Sequence, residues 1–185
     1  MALTWARIAF IPLIVGVFYV PDALVSPHMK NVLACIMFII AAITAALDGY
    51  LARNYNMATM MGAFLDSVAD KLVVCSAIVV LLAFDRVDMI VALIIVGREI
   101  AVTALREWMA KIGAAATVKV NWFGKIKTIA QMTAIPMLLF FDPFFGIDIY
   151  LVGTVLIWVA AVLTVYSMFV YMSAAWPHIE GGDAK

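Results

Sequence analysis

The chain has 185 residues, 67% of them hydrophobic, a mean hydropathy of +1.11, and 12 basic residues balanced by 12 acidic ones. A soluble domain runs about 45–50% apolar, so this excess excludes a water-soluble core of that length and points to one helical unit in a bilayer. Zero net charge without a clustered basic surface excludes nucleic-acid binding, while Cys35 and Cys75, both inside apolar runs, read as buried small hydrophobes and not as a disulfide framework.

A helical span takes about 20 apolar residues. Six stretches qualify, 6–20, 32–52, 66–84, 89–109, 128–141 and 149–176, so the expected fold is an all-α integral membrane bundle of six transmembrane helices, a single domain over 1–185. The first stretch lacks a basic lead-in and a small-residue cleavage site, so it reads as a retained helix and not a signal peptide. Between the spans lie turn-prone or charged segments: PDALVSPHMK, RNYNMATMMG, DRVD, KIGAAATVKVNWFGKIK and DPFFGID. The even-numbered connections hold Lys111, Lys119, Lys125 and Lys127, with Arg53, Lys71 and Arg106 at their borders, against Lys30 and Arg86 on the odd-numbered side. Basic loops face the cytoplasm, which places both termini inside. The tryptophans fall mostly near span ends, as an interfacial belt does, and the 12 methionines suit gap filling between helices.

Three aspartates and an arginine interrupt the apolar pattern: Asp48 and Arg53 in DGYLAR, then Asp66 and Asp70 in GAFLDSVADK. Ionisable groups at membrane depth are costly and are usually functional. Asp66 and Asp70 are four apart and share a helix face. Asp48 sits about one turn before the end of the preceding span, and an antiparallel return brings it level with the pair. Hard divalent cations take oxygen ligands, and Mg²⁺ is typically shared between carboxylates and substrate phosphates. Gly49 and Gly62 leave room for close backbone approach, and Arg53 offers a planar fork to phosphate oxygens. The plainer reading makes Asp66 a helix cap and Arg53 a snorkelling side chain. A proton or ion translocator is disfavoured because the acids gather at one interface and do not step across the bilayer.

This pattern resembles the CDP-alcohol phosphotransferase family, whose signature reads D-x-x-D-G-x-x-A-R, eight residues, G, three residues, D, three residues, D. Asp48, Gly49, Ala52, Arg53, Gly62, Asp66 and Asp70 fill seven of its eight fixed positions with every gap of the right length. LTWARIAFIP, VGREIAVTALREWMA and VNWFGKIKTIAQM extend the resemblance through most of the chain and look most like the members that use glycerol phosphate. The resemblance implies a homodimeric enzyme of the bacterial inner membrane, with its site open to the cytoplasm. It implies displacement of CMP from CDP-diacylglycerol by the 1-hydroxyl of sn-glycerol 3-phosphate, giving phosphatidylglycerophosphate. It further implies Asp48, Asp66 and Asp70 as ligands of Mg²⁺ or Mn²⁺ in a two-metal site, Asp70 also as the base, and Gly49, Ala52, Arg53 and Gly62 around the CDP group.

The first aspartate of the signature falls at position 45, where this chain has Ala45. An acid there would share the face of Asp48 three residues on. Its loss removes a negative charge and a ligand oxygen from a site that depends on carboxylates to hold two cations together, so weakened metal binding and weakened or abolished turnover are expected. A non-catalytic CDP-lipid or metal-binding protein on the same scaffold is the alternative, as is an enzyme with another acceptor. Arg106, Lys125 and Lys127, with Arg7 and Ser167, are the expected contacts of the acceptor phosphate. The competing account gives the basic residues to topology, with Glu99 and Glu107 as local salt-bridge partners.

Overall fold

The computed structural model describes residues 2–55, 60–113 and 122–180, and among these the side chains of 5–47, 62, 64–113, 122 and 126–177. Among the described residues six helices follow one another: α1 (Ala2–Tyr19), α2 (Pro27–Tyr55), α3 (Met60–Ala83), α4 (Met89–Lys111), α5 (Trp122–Phe140) and α6 (Ile149–Glu180). No strand occurs among the described residues; a lone bridge joins Phe144 and Ile147 in the α5–α6 connection.

Local chemistry sets several boundaries. Ser26 Oγ accepts from the Met29 amide at 3.3 Å ahead of Pro27, the first residue of α2. A hydroxyl cap followed by proline is a preferred helix start. Asp88 Oδ1 accepts from the Ile90 amide at 2.7 Å, and Asp148 Oδ1 from the Leu151 amide at 3.0 Å, opening α4 and α6. Gly113, with φ of +74°, follows the end of α4, where the left-handed conformation favours glycine. Helix α3 begins at Met60, so Asp66 lies inside it and is not its cap.

Short connections make α1 and α2, α3 and α4, and α5 and α6 packed neighbours, while α4 also packs on α6 and α5 on α2. Ile14, Phe38, Ile78, Leu81, Ile95, Leu138 and Ile157 are fully buried and form one core across all six helices. The seam between α5 and α6 is the closest: a methyl placed on Gly153 would stand 3.0 Å from Leu138 Cγ and 3.2 Å from Met137 Cβ. Outside this core the surface is apolar, with Leu13, Ile43, Leu93, Ile129, Val162 and Phe169 exposed. Pro27–Leu47 and Ile149–Pro177 are long and apolar enough to cross a bilayer, and only 28% of each is buried in the protein. Much of the remainder is exposed, as on lipid-facing helices.

At the end where α3 hands over to α4, Arg86 fastens three elements. Its Nη2 donates to Asn31 Oδ1 on α2 at 2.7 Å, and its Nη1 donates to the Leu139 and Leu138 carbonyls at 2.9 and 3.3 Å. Those carbonyls lie in the last turn of α5, where a helix lacks internal donors. The Phe141 ring lies 4.4 Å from the guanidinium carbon, with Phe18 and Phe84 farther out. Burial lowers the Arg86 pKa, with Asp142 and Tyr150 acting in the opposite direction; an arginine remains charged throughout.

Candidate functional site

At the other end, α2 runs into α3. The backbone of α2 carries positions 48, 49, 52 and 53 in its last turns; the side chains of Asp48, Ala52 and Arg53 and the surroundings of Gly49 lie outside the described residues. On α3, Gly62, Asp66 and Asp70 follow at four-residue steps, which stacks them along one face. Asp66 and Asp70 are both partly exposed.

The structure adds a partner that spacing did not reveal. Arg7, on α1 and 99% buried, donates through Nη1 to Asp70 Oδ1 at 2.6 Å, across 63 positions of sequence. Asp70 itself keeps 47% of its side chain exposed, so the pair has one dry member and one wet one. Both line a cavity of about 10 Å³ together with Phe38, Ala41 and Ala45 from α2, a volume near the threshold for a single water molecule. Ala45 thus stands beside Asp70 and Arg7, where it contributes a methyl and no oxygen. Arg7, expected at the acceptor phosphate, bonds this carboxylate.

These residues fit a divalent cation by donor chemistry. Two carboxylates one turn apart, one half exposed, are hard oxygen ligands of the kind Mg²⁺ and Mn²⁺ take. Among the described residues no three His, Cys, Asp or Glu side chains cluster, and the third expected ligand, Asp48, lies outside that set.

A second polar group joins α4, α5 and α6. Glu99 Oε1 accepts from Lys127 Nζ at 2.8 Å and from Arg98 Nη1 at 2.7 Å. Lys127 is 1% exposed and the Arg98 side chain 11%. Two cations around one carboxylate leave positive charge in a dry setting, and buried charges need such pairing. Arg106 acts electrostatically on Lys127 as well. Its Nη2 donates to the Tyr171 hydroxyl of α6 at 2.9 Å, and its guanidinium lies 5.1 Å from the Tyr171 ring centre. Ser167, one turn earlier on α6, is buried and donates to the Thr164 carbonyl at 2.9 Å. Arg98 Nε and Thr164 Oγ1 are buried without a hydrogen-bond partner among the described residues, which is costly unless a ligand or water supplies one.

Of the expected acceptor contacts, Arg106 bonds Tyr171 on α6, the helix that also carries Ser167, and Lys127 bonds Glu99 on α4, while the Lys125 side chain lies outside the described residues. Glu107 pairs with Lys111 at 3.2 Å and not with Arg106. Tyr171 and Thr164 went unnoticed in the sequence, where nothing distinguishes them from ordinary span residues. The roles of Arg98 and Glu99 had a signal: adjacent opposite charges inside an apolar run.

Comparison with known proteins bears on this arrangement. The family profile described as CDP-alcohol phosphatidyltransferase matches residues 1–166. The chain is 43% identical over 175 residues to a protein of Salmonella choleraesuis (strain SC-B67), covering 94% of this chain and 92% of that one. It is 44% identical to a protein of Shigella flexneri with the same coverage. A protein of Yersinia enterocolitica is 43% identical over 176 residues. All three are named CDP-diacylglycerol–glycerol-3-phosphate 3-phosphatidyltransferase.

Proposed function

The chain belongs to the CDP-alcohol phosphatidyltransferase family, and from that premise we propose that it transfers the phosphatidyl group of CDP-diacylglycerol to sn-glycerol 3-phosphate. It is a membrane transferase of phospholipid biosynthesis. In the reaction, the 1-hydroxyl oxygen of the acceptor forms a new bond to the lipid-bearing phosphorus. The bond from that phosphorus to the CMP oxygen breaks, CMP leaves, and phosphatidylglycerophosphate remains.

The residues take the following parts. Asp70 receives the acceptor's hydroxyl proton; a base within hydrogen-bond reach of the proton is worth about 10²–10⁴ in rate. Arg53 binds pyrophosphate oxygens, and Gly49, Ala52 and Gly62 allow the cytidine diphosphate to lie close to the backbone. Arg106, Lys125 and Lys127 bind the acceptor's phosphate, a dianion that needs more than one cation, with Arg7 and Ser167 as further lining. Asp48, Asp66 and Asp70 would hold Mg²⁺ or Mn²⁺, which when bound neutralises pyrophosphate charge. The protein works as a homodimer in the bacterial inner membrane, with spans near 6–20, 32–52, 66–84, 89–109, 128–141 and 149–176, both termini in the cytoplasm and the site facing it.

The observation that supports this reading is the presence of two complementary groups in one bundle, carboxylates on α3 and surplus buried cations on α4 and α5. One sorts with a cation-bound pyrophosphate, the other with a phosphate. Ala45 favours a second reading. With a methyl beside Asp70 the cation site is short of a ligand, so turnover is slow, and in the limit the chain binds CDP-lipid or metal without transfer. Purified protein incubated with CDP-diacylglycerol, labelled glycerol 3-phosphate and Mg²⁺ or Mn²⁺ separates the two readings. We expect little CMP release from this chain and a marked gain in Ala45→Asp. Vigorous, equal turnover by both would refute the role given to position 45. No turnover by either would support the binding-only reading, and transfer to inositol or serine in place of glycerol 3-phosphate would move the chain to another acceptor.

A further inference from the structure

The Arg7–Asp70 pair has a consequence for the cation site. Arg7 is almost wholly removed from water, and a buried guanidinium is strongly destabilising unless a carboxylate compensates it. Its Nη1 lies 2.6 Å from Asp70 Oδ1, the oxygen set of an expected metal ligand. Ala45 lines the same cavity and supplies no oxygen to either group. Asp70, one of the two described carboxylates of the expected cation site, is thus already bonded to a buried cation. A divalent ion approaching Asp70 therefore meets a fixed positive charge already bonded to that carboxylate.

We infer that Arg7 is a tethered competitor of the divalent cation: in the absence of an acid at position 45 it takes Asp70 as its partner and weakens metal binding there. This rests on the cation-site reading proposed above and adds the identity of the group that opposes it. The cavity beside Ala45 is where a carboxylate would draw Arg7 away and return Asp70 to the metal.

The test is Mn²⁺ binding to the purified full chain in detergent, followed by the loss of free Mn²⁺ signal in electron paramagnetic resonance. Arg7→Gln removes the opposing charge and is expected to tighten Mn²⁺ binding about tenfold, the scale of one like charge at short range in a medium of intermediate dielectric. Arg7→Lys keeps the charge and is expected to stay within about twofold of the unaltered chain, since the Coulomb term is retained. Unchanged or weaker binding in a folded Arg7→Gln, judged by circular dichroism, overturns the inference and makes Arg7 a simple support of Asp70. The unaltered chain offers a second measurement that no folding defect can spoil. Saturating Mg²⁺ should shift the Arg7 guanidinium resonance in ¹⁵N spectra, assigned by its loss in Arg7→Lys; an unmoved resonance overturns the inference. If neither the unaltered chain nor Arg7→Gln binds Mn²⁺, the cation-site reading falls with it. If both bind it equally, only the competition does.

Discussion

The two ends of the bundle handle their arginines in opposite ways. Arg86 spends its hydrogen bonds on Asn31 and on the carbonyls that close α5, and lies over Phe141. Those partners are neutral, a side-chain amide, two backbone carbonyls and a ring, so the group is complete as it stands. At the far end Arg7 holds a half-exposed carboxylate, while Arg98 and Lys127 share one glutamate. There the charges are in surplus and one member of the leading pair faces water. A satisfied arginine is a fastening; an arginine on a solvent-facing acid inside an apolar bundle belongs to a site that exchanges partners. The difference lies in what the cation is bonded to, since both are arginines held within the same bundle.

That contrast can be broken by experiment. The largest effect is expected from Asp70→Asn, which removes the proposed base and should lower CMP release in Ala45→Asp protein by about 10²-fold or more, measured with the helical content unchanged. Restoring the acid with Ala45→Asp should raise turnover by about tenfold or more, the worth of one charge-assisted contact. Arg106→Ala should raise the KM for glycerol 3-phosphate by about tenfold with a smaller change in kcat, as for an interaction made equally in ground and transition states. On the fastening end, Arg86→Ala should cost about 2–3 kcal/mol, seen as a lowered Tm in detergent, while KM for both substrates stays put in the folded fraction. A changed KM would mean that the two ends are coupled. His28→Asn should do least: it removes an exposed pair with Asp142 at 2.7 Å, worth at most about 1 kcal/mol by the same thermal scan.

The part of this arrangement readable from sequence is the part that runs along single helices. Six apolar runs gave six helices because chain length per span is fixed by the bilayer. Asp66 and Asp70 fell on one face because four residues make about one turn. Helices extend beyond the apolar runs that mark the spans: α3 starts at Met60 and α5 at Trp122, so both run through polar and glycine residues ahead of 66–84 and 128–141. Continuing a helix through them leaves fewer backbone groups to satisfy. Contacts between helices were not legible. Arg7 reaches Asp70 over 63 residues, Lys127 reaches Glu99 over 28, and Arg106 reaches Tyr171 over 65. No spacing rule connects such distances, so the partner of each charge had to come from the packing.

The α5–α6 seam carries a mechanical implication. Gly153 admits no methyl without pushing Leu138 or Met137 aside, so any larger residue there is a wedge. Eighteen residues separate it from Tyr171, roughly 27 Å of helix at 1.5 Å per residue. A few tenths of an ångström prised open at that fulcrum swings the distant arm by more, and the phenol that steadies Arg106 rides on that arm. One of the bundle's glycines thereby bears on how one of its arginines is held.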